Sequence, residues 1–260
     1  MALVFANLGA FYGAFLLYAG AAAAFLLRRS AGALLLARGG FILNIAAVAA
    51  RAARAGALPL ANSYEFILLF ALAAVFLFLL LLGRGQDPAV GGVLFSLVAL
   101  LFLVVFLFLR PQITAVQPLP PALRSLWLIA HVLAAVLAYG SFLFAAALAA
   151  IRLRRSAEKE DAAFARRLYH IVFLGFAALS VSIGLGAVWA EQAWGSYWTW
   201  DPKETWALVT WIIYALYLHL SRRRAWTERT ACLAVCIGFI VVLFTFFGVN
   251  FLLPGLHSYA

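Results

Sequence analysis

The segment Trp189–Trp211, WAEQAWGSYWTWDPKETWALVTW, decides how the rest of the chain is interpreted. It holds six of the eight tryptophans of the protein within 23 residues. Gly195, Asp201, Pro202 and Glu204 lie among these tryptophans, and such residues are poorly suited to the middle of a membrane helix. We therefore predict an extracytoplasmic loop and a short surface helix between two membrane spans. We expect the indole faces to form a flat apolar platform for a planar ligand.

The composition limits the fold class. The chain has 260 residues, of which 67% are hydrophobic and 11% are charged, whereas soluble domains average about 45–50% apolar and about 25% charged residues. A membrane-spanning helix needs ~20 mostly apolar residues, and the apolar runs here are continuous rather than alternating, which argues against a β-barrel. We predict an all-α polytopic membrane protein with a single membrane domain, 1–260. The start MALVFAN lacks a basic region, so we expect no removable signal peptide.

The apolar runs predict eight transmembrane helices. Their approximate bounds are 7–27, 34–53, 62–82, 89–109, 125–151, 169–189, 202–221 and 230–250. Asn62 followed by Glu65 predicts a capping box at the start of the third span. Cys232 and Cys236, four residues apart in the last span, are expected to be small buried side chains rather than a redox pair, because an apolar site disfavours the thiolate.

The charges predict which side each loop faces. The loops on one side carry 14 Lys and Arg residues, and those on the other side carry 5. The positive-inside rule places the richer side in the cytoplasm, so both termini and the Trp-rich loop are predicted to be extracytoplasmic. The same rule accounts for the net charge of +10 without a nucleic-acid partner. Arg51 and Arg54 lie on the outside against the rule, either pairing with Glu65 or an anionic ligand, or snorkelling to the interface.

The sequence Asp201-Pro202-Lys203-Glu204 has the pattern of a helix start. Asp201 suits the N-cap, Pro202 suits the first helical position, and Glu204 completes a capping box. An aromatic belt at the membrane surface explains two or three tryptophans nearby. Six tryptophans exceed that number, which favours a binding role for the segment.

The four histidines fall at different predicted depths. His131 lies about one and a half turns into the fifth span, and His257 lies in the outside tail, both at the depth of the Trp-rich loop. His219 lies about 20 Å deeper than Trp206, at 1.5 Å per residue. His170 begins the sixth span at its cytoplasmic end. Ionisable residues within membrane spans are functional candidates.

Two outer histidines beside a wall of indoles could supply two axial imidazoles to haem iron, since haem iron accepts histidine readily. A quinone or another planar ligand, and a plain structural or transport role, remain open from the residues alone. His170 is expected to be structural, with a role in guarding haem entry as the alternative.

The motif also carries a family resemblance. WGSYWTWDPKETWALVTW, preceded by GAVWAEQAW, resembles the tryptophan-rich WWD signature of the cytochrome c assembly family, most closely the CcsA/ResC type of the System II cytochrome c synthases. Four further segments resemble that type: ALPLANSYEF (57–66), LWLIAHVLAAVLAYGSF (126–142), IYALYLHLSRR (213–223) and GVNFLLPGLHSYA (248–260). The first 50 residues match in hydropathy only.

The resemblance implies a set of site residues. His131 and His257 would be catalytic residues and the axial ligands of an external haem b, and Asp201 a further catalytic candidate. The WWD loop, about 189–206, would hold the haem edge through Trp189, Trp194, Trp198, Trp200, Asp201 and Trp206. His219 would be one iron ligand of a second haem site inside the membrane, whose other ligand comes from a ResB/CcsB-type membrane subunit.

The resemblance further implies haem export and covalent attachment of haem to apocytochrome c at CxxCH by a holocytochrome c synthase (haem lyase) that is active with its partner. Thiol-reducing proteins would act upstream. The location would be the bacterial plasma membrane with an extracytoplasmic active face, or the thylakoid membrane in a plastid. The alternatives are a haem-binding subunit of the other bacterial maturation pathway, and a non-haem transporter or assembly scaffold.

Overall fold

The computed structural model describes residues 1–81, 87–115, 124–155, 161–223, 226–253 and 255. Across these residues the regular structure is helical and contains no strand, which confirms the all-α prediction. The helices are α1 (Ala2–Leu26), α2 (Ser30–Ala55), α3 (Ser63–Leu81), α4 (Pro88–Phe108), α5 (Arg110–Thr114), α6 (Leu126–Arg154), α7 (Ala162–Trp194), α8 (Pro202–Arg222), α9 (Glu228–Leu243) and α10 (Val249–Leu252). A π-helical turn, Phe244–Gly248, joins α9 to α10.

Seven helical segments of the described chain are long and apolar enough to cross a membrane: α1, α2, α3, α4, α6, α7 and the continuous stretch from α9 to α10. The prediction of a polytopic membrane protein is thereby confirmed. The remaining predicted span, the seventh (202–221), corresponds to α8, which has 21 residues. Its tryptophans, tyrosines and His219 make it less apolar than the others. The count of eight spans and the sidedness of the termini remain predictions.

The largest difference from the predicted bounds concerns the sixth span. Helix α7 has 33 residues and extends beyond the predicted 169–189 at both ends. Asp161 explains the early start, because its carboxylate accepts hydrogen bonds from the backbone amides of Ala163 and Phe164. These bonds hold the pKa of the Asp161 carboxyl below its ordinary value. At the other end the helix continues through Trp189 and stops only at Gly195, whose φ of 75° is left-handed.

The chain forms two compact units, Met1–Pro120 and Pro121–Ala260. The first unit contains α1–α5 and the second contains α6–α10. The assignment of 1–260 to one membrane domain remains a prediction.

Aromatic stacking forms the core of the first unit. The rings of Phe11 and Phe102 stack with centroids 5.2 Å apart, and those of Phe25 and Phe95 with centroids 5.6 Å apart. Both pairs connect α1 to α4. The dense van der Waals contacts of these large buried rings stabilise the packing of the two helices, whether the protein is surrounded by lipid or by water.

A buried ion pair connects α2 to α3 in the same unit. Arg51 Nε donates to Glu65 Oε1 at 2.6 Å, and the two side chains are only 1% and 3% exposed. Arg51 also donates to the carbonyl of Ile113 at 3.3 Å, and the Ala61 amide donates to Glu65 Oε2 at 2.7 Å. Of the two roles considered for Arg51, pairing with Glu65 is the one observed.

The predicted capping box at the start of α3 is half present. Asn62 Oδ1 accepts a hydrogen bond from the Glu65 amide at 3.0 Å, as predicted. The Glu65 carboxylate, however, bonds to the Ala61 amide and to Arg51. A buried guanidinium is a stronger partner than the N-cap amide, because both groups are charged and out of water. Arg54, beside it on α2, donates to the carbonyl of Thr114 at 2.6 Å.

The second unit is a ring of four long helices, in which α6 contacts α7 and α9, and α8 contacts α7 and α9. The rings of Phe142 and Tyr214 stack in its centre with centroids 3.7 Å apart. A Cβ at Gly175 would come within 2.6 Å of Phe142, and one at Gly238 within 2.8 Å of Tyr214. The stacked pair therefore fills the space between two glycines on opposite helices.

One end of this ring is closed by polar contacts. Arg152 of α6 forms an ion pair with Glu228 of α9. Glu228 Oε2 also accepts a hydrogen bond from the Asp161 amide at 2.8 Å, so it joins the ends of three helices. Cys232, one turn further along α9, is buried as predicted, whereas Cys236 is only half-buried.

Replacing Arg51 by leucine should leave Glu65 charged and buried without its partner. Breaking a buried pair from one side typically costs about 3–5 kcal/mol, so Arg51→Leu should strongly lower thermal stability in detergent. The double variant Arg51→Leu/Glu65→Leu should recover most of that loss. Arg54→Leu is the matched control, since Arg54 is only half-buried. Equal losses in both arginine variants would contradict the structural role given to the pair.

Candidate functional site

His131 lies on α6 and is held by the backbone of α7. Its Nδ1 is 2.7 Å from the carbonyl oxygen of Ser182. Because a carbonyl can only accept, Nδ1 carries the proton and Nε2 carries the lone pair of the neutral ring. The Ser182 hydroxyl donates in turn to the His131 carbonyl at 3.1 Å. Metal-binding histidines commonly have this arrangement, in which the second ring nitrogen is fixed by a carbonyl.

A glycine of α7 provides the surface on which the His131 ring lies. A Cβ at Gly186 would be 2.7 Å from His131 Nδ1 and 2.8 Å from Cε1, whereas a Cβ at Gly184 would meet nothing within 4 Å. Sequence reasoning missed Ser182 and Gly186. The signal was present, because small residues four apart on a membrane helix allow a neighbouring helix to approach closely.

The imidazole suits haem better than a bare metal ion. Among the described residues there is no group of three or more His, Cys, Asp or Glu side chains that could hold a metal ion. Haem iron already has four ligands from its ring and needs only axial ones, and histidine is a common axial ligand.

The Trp-rich loop is shorter than predicted. Its non-helical part is only 195–201, because Trp189 and Trp194 lie on α7, and Trp206 lies on α8. No separate surface helix occurs within 195–201, and the chain passes directly into α8.

The carboxylate of Glu204 organises this loop. Its Oε2 accepts from the Thr199 amide at 2.8 Å, from the Thr199 hydroxyl at 3.3 Å and from the Asp201 amide at 3.3 Å. Asp201 Oδ1 accepts from the Lys203 amide at 3.0 Å, and the predicted capping box is complete. Trp200, just before the cap, has a φ of 60°. A bulky residue rarely adopts this left-handed conformation, so the surrounding contacts hold it in place.

The flat platform expected of the indoles is wrong. Trp189 and Trp194 meet edge to face, with ring planes at 67°, and Trp198 and Trp200 meet at 88°. The positive edge of one ring prefers the negative face of the next, which favours this geometry over coplanar rings. Trp189 is only 2% exposed and Trp200 is 68% exposed. Trp189 therefore supports the loop from beneath, and Trp200 presents its ring outward.

The start of α8 packs against the π-helical turn and α10. The ring of Trp206 packs against Phe244 of the π-helical turn, with centroids 4.4 Å apart. The hydroxyls of Thr210 and Thr245 are 3.2 Å apart, and Lys203 Nζ donates to Asn250 Oδ1 at 2.9 Å. The π-helical turn thus lies directly against the Trp-rich segment, and such turns often occur at functional sites.

Gly255, three residues after the end of α10, also lies beside the start of α8. A Cβ on Gly255 would be 2.5 Å from Asp201 Oδ2 and 3.3 Å from Pro202 Cδ. His257 follows two residues later in the sequence but lies outside the described residues. Its assignment as an iron ligand remains a prediction.

His219 and His170 lie at the opposite end of the second unit. Helix α8 continues unbroken to Arg222, so His219 is about 20 Å along the helix from Trp206. Both imidazoles are exposed. The structure places His131 against Ser182 and Gly186 of α7; nine residues, about 14 Å of helix, separate Gly186 from Gly195 at the start of the loop. That His131 lies at the depth of the Trp-rich loop remains a prediction.

Comparison with known proteins gives the family. Residues 60–257 match the family described as Cytochrome C assembly protein. The chain belongs to this cytochrome c assembly family.

Several relatives carry the name cytochrome c biogenesis protein CcsA. The protein of Chlamydomonas reinhardtii is 37% identical over 219 residues, covering 79% of this chain and 62% of that protein. Those of Guillardia theta and Synechococcus sp. (strain CC9902) are 36% and 34% identical, covering 78% and 79% of this chain, and 77% and 79% of those proteins. The chain thus spans somewhat less than two thirds of the Chlamydomonas protein.

A solved structure has the same fold. The chain titled Cytochrome c Heme Lyase CcmF matches with a TM-score of 0.74 at 22% identity, covering 95% of this chain and 47% of that one. At this identity the match concerns the fold, and this chain corresponds to about half of the larger protein.

Substitutions at Asp201 should separate helix capping from chemistry. Asp201→Ala should destabilise the start of α8 by about 1 kcal/mol, whereas asparagine caps nearly as well as aspartate. We expect Asp201→Asn to retain both thermal stability and the yield of c-type cytochrome, and Asp201→Ala to lower both. A loss of cytochrome yield in Asp201→Asn at unchanged stability would instead assign the carboxylate a chemical role.

Proposed function

We propose that this chain exports haem across the membrane and attaches it covalently to apocytochrome c at CxxCH, as the membrane subunit of a holocytochrome c synthase. The observation that carries the proposal is the His131 imidazole, whose Nδ1 is fixed by the Ser182 carbonyl on the helix that leads into the Trp-rich loop. Membership of the cytochrome c assembly family supports it.

The external site uses His131 and His257 as the axial ligands of haem b. Gly255 lies beside Asp201, since a Cβ on it would be 2.5 Å from Asp201 Oδ2, and this supports a ligand two residues later in the sequence. Trp194, Trp198, Trp200 and Trp206 hold the haem edge, with Trp189 packed beneath Trp194. Asp201 contributes through the cap that fixes the loop.

At this site the two cysteine thiols of CxxCH add across the two haem vinyl groups. In each addition a carbon–sulfur bond forms, and the thiol hydrogen passes to the other vinyl carbon, so no electrons are gained or lost overall. The chain contributes orientation, which can supply a large part of a reaction barrier when the reacting groups are held close together. The histidine of CxxCH then replaces one imidazole of the synthase on the iron.

The inner site uses His219. Because its imidazole is exposed on the surface of the chain, its position suits a haem shared with a ResB/CcsB-type membrane subunit that supplies the second ligand. Thiol-reducing proteins keep the apocytochrome cysteines reduced. The active face is extracytoplasmic, in a bacterial plasma membrane or a thylakoid membrane.

Two alternatives remain to be separated. The similarity in fold to CcmF favours, as the second candidate, a haem-binding subunit of the other bacterial maturation pathway. A non-haem transporter or assembly scaffold is the third. An absorption spectrum of the purified chain, alone and with its partner subunit, tests them. A Soret band typical of bis-histidine haem supports a haem-handling role, and a colourless protein that stays colourless after haem addition contradicts it. Cytochrome c maturation by the pair then distinguishes the first two.

Replacing the His131 side chain should open a coordination position on the iron. We expect His131→Gly to lose most of the external haem and to recover part of it when imidazole is added, because free imidazole can occupy the vacated space. Haem is measured from the absorption of the purified complex. Ala130→Gly, one residue earlier on α6, controls for the effect of glycine on the helix. Unchanged haem content in His131→Gly would refute the ligand assignment.

Adding one methyl group to Gly186 should displace the His131 ring. Second-shell changes of this kind typically lower metal affinity about 10–100-fold, so Gly186→Ala should weaken external haem binding by about 10-fold or more. Gly184→Ala is the matched control, since its Cβ would meet no neighbour within 4 Å. Equal haem affinity in both variants would show that the packing of the ring on α7 does not matter.

A further inference from the structure

His170 is the histidine for which the proposed function has no use. It lies on α7 near the end of the unit that also contains His219 of α8, and both imidazoles are exposed. Their relative position follows from the contacts between the two helices.

The packing of Trp211 sets the register of α7 against α8. Trp211 Nε1 donates to Ser180 Oγ at 2.8 Å, and its ring centroid is 5.1 Å from that of Phe176. Trp211 therefore lies level with the turn of α7 between Phe176 and Ser180. His219 is eight residues further along α8, and His170 is eight residues back from the middle of that turn. The helices are antiparallel, so both steps advance about 12 Å in the same direction, and the two histidines lie at the same level.

The two histidines also lie on neighbouring faces of their helices. On α7, Gly175, Ser182 and Gly186 contact α6, and Phe176 and Ser180 contact α8. At 100° per residue His170 falls on the remaining side, with the exposed Leu174 and Val181.

On α8, Tyr214 points to the bundle centre and Trp211 points to α7. His219 falls on the outer side with the exposed Ile212 and Leu216. Both imidazoles therefore lie on the outer surface of the α7–α8 pair, separated by a single helix–helix gap of about 8–10 Å between axes.

An arginine accompanies each imidazole. Arg166 precedes His170 by four residues, and Arg223 follows His219 by four residues, and all four side chains are exposed. Residues four apart lie on the same side of a helix. Because the helices are antiparallel, both arginines lie on the same side of the histidine level, toward the predicted cytoplasmic surface. Two iron ligands with two guanidiniums beyond them suit an iron porphyrin with two carboxylate groups, since guanidinium binds carboxylate well.

We propose that His170, Arg166, His219 and Arg223 form a haem-docking surface at the cytoplasmic end, on which His170 binds the iron first and passes it to His219. This proposal rests on the proposed function for the identity of the cargo. In the transfer the Fe–N bond to His170 breaks and the Fe–N bond to His219 forms, with no change in electrons or protons. The arginines hold the two propionates during the exchange.

A cross-linking experiment tests the juxtaposition without haem. In a chain with Cys232→Ala and Cys236→Ala, the pair His170→Cys/His219→Cys should be joined by a short bismaleimide. The control pair His170→Cys/Ile212→Cys uses the same outer side of α8 about 10 Å away along the axis and should be joined much more slowly. Equal rates for the two pairs would overturn the register.

Haem uptake by the complex of the chain with its partner subunit tests the transfer. After addition of haemin, His170→Ala should slow the appearance of the His219-ligated spectrum by about 10-fold and leave the final spectrum unchanged. Arg166→Gln should slow it less, and Leu174→Ala, the exposed control four residues from His170, should not change it.

Uptake by His170→Ala at the wild-type rate would overturn the proposal while leaving the proposed function intact. If the wild-type complex takes up no haem at all, the proposed function fails, and this proposal fails with it.

Discussion

The close approach of α7 to α6 is the constraint on which the second unit depends. Gly175, Ser182 and Gly186 form a stripe of small residues along α7. At one end a Cβ on Gly175 would collide with Phe142, and at the other a Cβ on Gly186 would collide with His131. The same stripe therefore allows the stacked rings of Phe142 and Tyr214 to fill the bundle centre and fixes the imidazole that we propose as an iron ligand. The interface between α6 and α7 thus both packs the bundle and holds the proposed iron ligand.

In the Trp-rich segment, hydrogen bonds and one buried indole hold another indole in an exposed position. The capping box of Asp201 and Glu204 collects four donors from the loop and the first turn of α8, and Trp189 packs inside the protein. This support holds Trp200 in a left-handed conformation with most of its ring exposed. Local strain of about 1–3 kcal/mol persists only where neighbouring contacts determine the backbone, and here those contacts come from the two ends of the adjacent helices.

The features that the sequence could predict are those with local causes. The start of α8 follows from Asp201-Pro202-Lys203-Glu204, and the pairing of Arg51 with Glu65 follows from two opposite charges in apolar surroundings. Helix α7 begins earlier than predicted because the Asp161 side chain caps it. The loop begins later than predicted because tryptophan is tolerated in helices, so that Gly195 and not Trp189 ends α7. The angle between indoles and the level of His170 relative to His219 depend on packing between distant segments, for which no local pattern exists. The spacing of Ser182 and Gly186 indicates a close helix contact but does not identify His131 as its partner.

The unbroken course of α8 has a mechanical consequence. Its 21 residues measure about 31 Å, close to the hydrocarbon thickness of ~30 Å, and it contains no π-helical turn like the one that follows α9. A rigid helix of this kind keeps its two ends at a constant distance. A tilt of α8 by about 10° around its Asp201 end would move its other end by about 5 Å. Changes at the two ends are thus coupled by the stiffness of a single helix.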